Sequence, residues 1–203
     1  MAAVTAVTAP YGLRFDAGRI CLDLLATAHP GEHLGSLPAL RAWITGAHLV
    51  PPGTSLTHAD ASWPPRFREL RYAIDRLVRT QLAAGTVDTR PCALALARVN
   101  ALARPAPPAP RAVRGGDGTL VRVLDGPPGC TALLAAVARD AVDLLTDPVT
   151  RSALRQCAGD NCPIVYLDTS RGRRRRWCSS EVCGNRERVA RHRRRVARAR
   201  AGR

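Results

Sequence analysis

Two cysteine pairs of identical C-x4-C spacing, Cys157/Cys162 and Cys178/Cys183, stand fifteen residues apart near the end of this 203-residue chain, and no other feature restricts its fold as much. Four thiolates complete the tetrahedral shell of a Zn2+ ion and leave no open position, which is the arrangement of a structural site and not of a catalytic one. C-x4-C is less diagnostic than C-x2-C, and spacing alone leaves free cysteines as the alternative. Residues 1–10, MAAVTAVTAP, carry neither a basic n-region nor a sustained apolar run, so no secretory signal is expected. A cytoplasmic, thiol-reducing setting follows, in which paired cysteines favour metal over disulfide. The longest apolar run, ALLAAVA, is too short to cross a bilayer, and no membrane partner is expected.

Charge converges on the same segment. The formal net charge is +15, yet residues 171–203 hold 14 Arg against 2 Glu, net +12, while residues 1–170 contribute only +3. The chain has no lysine and is rich in Ala, Arg, Pro and Gly, a bias that explains the choice of Arg over Lys but not its position. A basic segment this concentrated implies a polyanionic partner.

The remainder, in a chain that is 46% hydrophobic, is long enough for one ordinary domain. The expected fold is α+β: a mainly helical domain over residues 1–150 with a small β-hairpin, then over residues 151–203 a small treble-clef-like zinc finger with a basic C-terminal helix. YGLRFDAGRICLDLLATAHP opens as a strand-like piece and passes into a helix with Ile20, Leu24 and Leu25 at helical spacing. SLPALRAWITGAHLVPP is a second helix, capped by Ser36 and ending near Val50. PPRFRELRYAIDRLVRTQLAAG is the clearest amphipathic helix, with Phe67, Leu70, Ile74, Leu77 and Val78 facing the core and Gly85 as terminator. A helix over 91–103 precedes a hairpin that turns at 115–118, and a helix over 131–145 follows. After the break at Asp147 and Pro148, PVTRSALRQ reads as a last short helix that delivers the chain to Cys157.

Other motifs lose to plainer readings. HPGEH places His29, Glu32 and His33 in the order of a zinc peptidase signature, but that chemistry needs successive turns of one helix, and Pro30 with Gly31 makes a turn instead. GGDG has no following Lys-Ser or Lys-Thr and opens no helix, so it reads as a hairpin turn and not a phosphate loop. Cys21, Cys92 and Cys130 are isolated, and no nucleophile–base constellation has informative spacing.

Around the cysteines, PIVYLDTSRGRRRRW reads as two strands about a turn at 170–172, which brings the two pairs together across the hairpin base. Ser179 or Ser180 caps the helix that follows, and Glu187 can pair with Arg191 one turn on. Val182, Val189 and Val196 recur every seven residues as a stripe expected to pack on the hairpin, Trp177 or the front domain. Arg188, Arg191, Arg195 and Arg198 form a separate basic face, and Arg173, Arg174, Arg175 and Arg176 a second patch. Two such patches on a rigid core suit a phosphate backbone, since each Arg can fork onto oxygens and each contact releases counterions. The alternative is a solvated basic tail.

These residues resemble a bacterial, especially actinobacterial, family in which a CGNR-type zinc finger follows an ABATE domain. The resemblance is carried by LLTDPVTRSALRQCAGDNCPIVYLDTSRGRRRRWCSSEVCGNR and, at the front, by RFDAGRICLDLL and LRAWI. It implies one structural Zn2+ on Cys157, Cys162, Cys178 and Cys183 and a stress-linked role in transcription regulation. The chain departs from the family pattern at Ser180, where Met is usual, at Glu187, near a usual basic residue, and at Ala26, where Asn is usual. The expected function is therefore zinc-dependent nucleic-acid binding, with DNA as the partner of a regulator that is not an enzyme. Arg186 and Asn185, in CGNR, either contact bases or brace the zinc loop. The rivals are docking onto a transcription protein such as polymerase or a sigma factor, and RNA binding, for which only Trp177 and Tyr166 offer stacking surfaces. A homodimer is compatible with each.

Overall fold

The computed structural model describes residues 10–83 and 89–201, so the expected terminator Gly85 lies outside the described residues. Four helices build the front core: α1 (Ile20–Ala26), α3 (Trp63–Leu82), α4 (Thr89–Ala103) and α5 (Cys130–Thr146), with α2 (Leu37–Gly46) laid across α3. The apolar stripe of α3 behaves as its spacing dictates, for Phe67, Leu70, Ile74, Leu77 and Val78 are all buried. Trp43 of α2 meets Phe67 edge-on, with ring centroids 5.8 Å apart. On α5, Ala135, Ala138 and Ala141 are buried between Leu133, Leu134 and Leu144, so small side chains let neighbouring elements approach closely.

Ser36 caps α2, its hydroxyl accepting from the Ala39 N–H at 3.3 Å. The helix stops at Gly46, short of Val50, because His48 enters the left-handed region (φ 52). Its N–H and that of Leu49 turn back onto the carbonyls of Thr45 and Ile44, closing the last turn. The β-hairpin forms as expected from β1 (Pro110–Arg114) and β2 (Leu120–Leu124), paired antiparallel with Ala112 opposite Arg122. HPGEH is a turn, and its Glu32 is the counter-ion of Arg71, a side chain only 2% exposed, at 2.5 Å. Arg71 also donates to the Thr27 hydroxyl at 2.8 Å, so the exposed turn supplies a carboxylate that ties down a buried arginine of the helical core.

Two expectations for local structure fail. Among the described residues no strand precedes α1: Pro10–Gly12 is a 3-10 turn, and the residues after it meet the finger through one backbone bond, from the Leu167 N–H to the Ala17 carbonyl at 2.8 Å. Nor is PVTRSALRQ one helix. Asp147 caps a single turn, α6 (Pro148–Arg151), by accepting from the N–H groups of Val149 and Thr150, and the chain then becomes β3 (Leu154–Gln156). Pairing overrides helix propensity here, because β3 gains a ladder to β4 (Val165–Leu167) that buries Leu154, Val165 and Leu167.

The core does not stop at the first cysteine. Leu154, Ile164, Val165, Tyr166 and Leu167 belong to the same buried cluster as α1, α3 and α5. Gly18 makes the junction possible: with φ +90, a Cβ there would also stand 3.2 Å from Leu167 Cβ. The last element, α7 (Asn185–Ala201), leaves this body, and its described side chains at 191–197 are all exposed.

Candidate metal centre and basic surface

The zinc loop is assembled from β3 outward. Gln156 pairs with Val165, so the ladder ends where the first C-x4-C loop begins, and the loop is closed by the Cys157 N–H donating to the Ile164 carbonyl at 2.9 Å. The hairpin thus encloses the first cysteine pair, whereas the sequence pattern predicts one between the pairs. Residues 173–177 form no strand because Asp168 holds 168–175 as a wide turn. Its carboxylate accepts from the Ser170 hydroxyl at 2.6 Å and from the N–H of Arg175 at 3.0 Å, and the Ser170 hydroxyl above all holds the Asp168 carboxyl below its ordinary range. The Ala158 N–H then reaches the Arg176 carbonyl at 2.8 Å, bringing the second pair onto the first. Ser179 is the cap, accepting from the N–H groups of Glu181 and Val182, and a single π turn, Ser180–Gly184, sets Cys183 in place before α7 starts.

All four sulfurs lie within 4.8 Å of one another. Cys162 Sγ is 3.7 Å and Cys183 Sγ 3.6 Å from Cys178 Sγ. A disulfide needs about 2.05 Å. Zn–S bonds of about 2.3 Å in a tetrahedron place sulfurs about 3.8 Å apart, so the donor set fits a single Zn2+. Surrounding groups favour thiolates: the N–H groups of Cys178 and Gly159 donate to Cys157 Sγ at 3.3 and 3.4 Å. Burial acts to raise Cys157, but those amides, together with the side chains of Cys178 and Cys162, outweigh it and hold the thiol below its ordinary value. Burial raises Cys178, against the pull of Arg14, and pushes Cys183 up to about 11. Four coexisting thiolates therefore require the cation. Gly159 keeps this approach close, since a Cβ there would crowd Cys183 at 3.3 Å from its Cβ and 3.4 Å from its sulfur.

Two arginines serve the zinc loop, and neither is the one that CGNR suggests. Arg14 donates to Cys178 Sγ at 3.4 Å while paired with Asp16 at 2.8 Å, so a residue 164 positions upstream offsets the tetrathiolate charge. Arg175 donates to the carbonyls of Trp177 at 2.9 Å, Asp16 at 3.1 Å and Cys178, and its guanidinium lies 4.4 Å from the Tyr166 ring centroid. It is half-buried and committed to structure, which withdraws it from the expected phosphate-binding patch. Tyr166 completes the brace by donating its hydroxyl to the Arg175 carbonyl at 2.5 Å.

The other site residues distribute unevenly. Asn185 is exposed and accepts from Arg188 at 3.3 Å, so it caps no zinc-loop amide. Arg186 is exposed and makes no ion pair or hydrogen bond among the described residues. Arg173 donates to the Ser152 hydroxyl at 2.9 Å, Arg176 stacks 5.4 Å from the Trp177 centroid, and Arg174 is exposed. Glu187 pairs with Arg194 at 2.7 Å and not with Arg191, which is left open beside Arg195. The side chain of Arg198 lies outside the described residues. The valine stripe is not packed: Val182, Val189 and Val196 are 46%, 43% and 38% exposed.

Fold and site together define a zinc-finger protein, in which a helical domain carries one structural Zn2+ on Cys157, Cys162, Cys178 and Cys183. The CGNR zinc finger family matches residues 153–196, and the ABATE family, described as "Putative stress-induced transcription regulator", matches residues 18–148. The second match spans more than half of the chain, which belongs to the ABATE family and carries a CGNR finger behind that domain. Both are regulatory zinc-finger or regulator families and not enzyme families. No curated protein matches the chain. Among the described residues no helix is long and apolar enough to cross a membrane.

Proposed function

We propose that this zinc-binding regulator acts by binding duplex DNA, with residues 1–150 as the regulatory part and residues 151–203, packed onto its core, as the DNA-contacting finger. The observation that carries this reading is the state of the arginines on α7. Arg186, Arg191, Arg193 and Arg195 are exposed and make no ion pair or hydrogen bond among the described residues, although they crowd one helix. Unpaired like charges repel, and a helix that tolerates them gains stability when a polyanion neutralises them. The 17 residues of α7 rise about 25 Å, and an α-helix, about 10–12 Å across, fits the major groove of B-DNA. Arg173, Arg174 and Arg176 sit on the zinc loop at its root and would clamp phosphates flanking the groove.

The exposed valines favour a second reading, docking of α7 onto a transcription protein, since a partner would bury them. Salt separates the two. Phosphate binding falls steeply with ionic strength, and apolar docking does not. Titration of zinc-loaded protein against duplex DNA at about 50 and 200 mM salt should show affinity falling by at least about a hundredfold. No measurable duplex binding at the lower salt removes the DNA reading.

A further inference from the structure

Among the described residues Trp177 is the one Phe, Tyr or Trp side chain on the basic surface, and its surroundings differ from those of the other two tryptophans. Trp43 and Trp63 are buried in the helical core, 0% and 5% exposed, whereas Trp177 is half-buried between the arginine-rich loop and the start of α7. It lines two grooves at once. One, of about 470 Å3, runs past Arg174, Arg176, Ser180 and Glu181. The other, of about 140 Å3, runs past Gly184, Arg188 and Arg191. The ring is fixed from behind. It precedes zinc ligand Cys178, its carbonyl accepts from Arg175, and Gly184 lies against the indole at van der Waals range. Its indole N–H bonds to nothing among the described residues, and neither does the Glu181 carboxylate, despite the guanidinium groups nearby.

A mounted indole with the Arg176 guanidinium over one face, an unpartnered carboxylate and flanking arginines are the parts of a nucleotide site, the base stacking on the other face. The indole stacks a base, the arginines take its phosphates, and a carboxylate accepts from an exocyclic amine such as cytosine N4. A purely phosphate-binding surface would use neither the indole nor Glu181. We infer that Trp177 is a stacking platform for a single unpaired base of the DNA strand held along α7. The inference rests on the DNA reading above and deepens it: the preferred ligand is duplex DNA with one base out of the stack. In a fully paired duplex, extruding a base costs unstacking and unpairing energy, and a bulged base has lost that cost beforehand.

The test uses the full zinc-loaded chain and two duplexes of the same sequence, one fully paired and one with a single bulged dC. Stacking on an aromatic is worth a factor of about ten. The bulged duplex should therefore bind about tenfold more tightly, with quenching of the exposed tryptophan emission. Trp177→Leu should erase that preference while leaving paired-duplex affinity and zinc content unchanged, and Trp177→Phe should keep most of it. Equal affinity for the two duplexes, a preference that survives Trp177→Leu, or a bulged complex without quenching overturns the inference. A third ligand, single-stranded oligo-dC, separates this failure from that of the parent reading. Quenching by the strand without any paired-duplex binding removes the duplex reading and keeps the base platform, and binding to none of the three removes both.

Discussion

Arg175 and Arg191 belong to one basic segment and have opposite fates. Arg175 lies half-buried across the zinc loop, spending its donors on the carbonyls of Trp177, Cys178 and Asp16 and its face on Tyr166. Arg191 stands exposed on α7 with no ion pair or hydrogen bond among the described residues. The difference is not in the residue but in what surrounds it. Where four thiolates pull the backbone into a tight loop, orphan carbonyls collect and a guanidinium is needed to satisfy them. Where the chain forms a helix, the carbonyls satisfy one another, and the guanidinium is left for another molecule. The zinc loop is thus a mount braced from the front domain, and α7 is the surface it presents.

The largest expected effect strikes the mount. Chelation of zinc, or Cys178→Ser, removes binding free energy on the order of 10 kcal/mol that is also folding free energy. Trp177 emission should shift to the red, and because the finger shares its core with α1, α3 and α5, thermal stability of the whole chain should fall with it. A folded finger after complete chelation breaks the distinction between mount and surface. Next comes Arg175→Ala, which removes the donors of part-buried carbonyls and the stacking on Tyr166 and should cost about 1–2 kcal/mol. Arg191→Ala, which removes an exposed side chain with no ion pair or hydrogen bond among the described residues, should stay within about 0.5 kcal/mol. Similar losses in thermal unfolding would show that the two arginines are not different in kind.

A smaller effect concerns how the mount is tied down. Asp23 of α1 accepts from the Ala17 N–H at 3.0 Å, and Ala17 in turn holds Leu167 of β4. Burial pushes the Asp23 carboxyl up to about 7 from an ordinary value of 3.8, against the Ala17 amide, which lowers it. A raised folded value means that Asp23 contributes its stability fully below about pH 4 and loses it as pH rises through 7. Asp23→Asn should accordingly be close to neutral at pH 4 and stabilise by on the order of 2 kcal/mol at pH 8, read as the pH dependence of Tm. An equal effect at both pH values contradicts the assignment.

Much of this was legible because it is local. Helical spacing placed Phe67, Leu70, Ile74, Leu77 and Val78 in the core, and paired spacing placed four cysteines on one metal. The chemistry of the cap left Ser179 and Ser180 as alternatives, and the structure selects Ser179. What was not legible depends on distant partners. Residues 154–156 have helix-compatible side chains, and only the β4 strand across the cysteine loop makes them a strand. Arg14 meets Cys178 across 164 residues, and RFDAG carries no spacing signal for that contact. The valine stripe is a true period of seven, but periodicity states only that one face is apolar and not that anything in the chain covers it. Asn185 reads as a natural loop cap from its type, yet the helix start turns it to solvent, and Arg175 from a different segment does the bracing.

The most direct test pairs two readouts on two variants. The Arg191→Ala/Arg195→Ala double variant and the Arg175→Ala variant are each measured for Tm and for the slope of log affinity against log salt on duplex DNA. Arginines that neutralise phosphates contribute about 0.9 each to that slope. The double variant should therefore lose about 1.8 from the slope with its Tm and zinc content intact, and Arg175→Ala should lower Tm and leave the slope of the remaining folded protein unchanged. A slope that survives loss of Arg191 and Arg195, or one that Arg175→Ala reduces without loss of stability, contradicts the division between mount and surface.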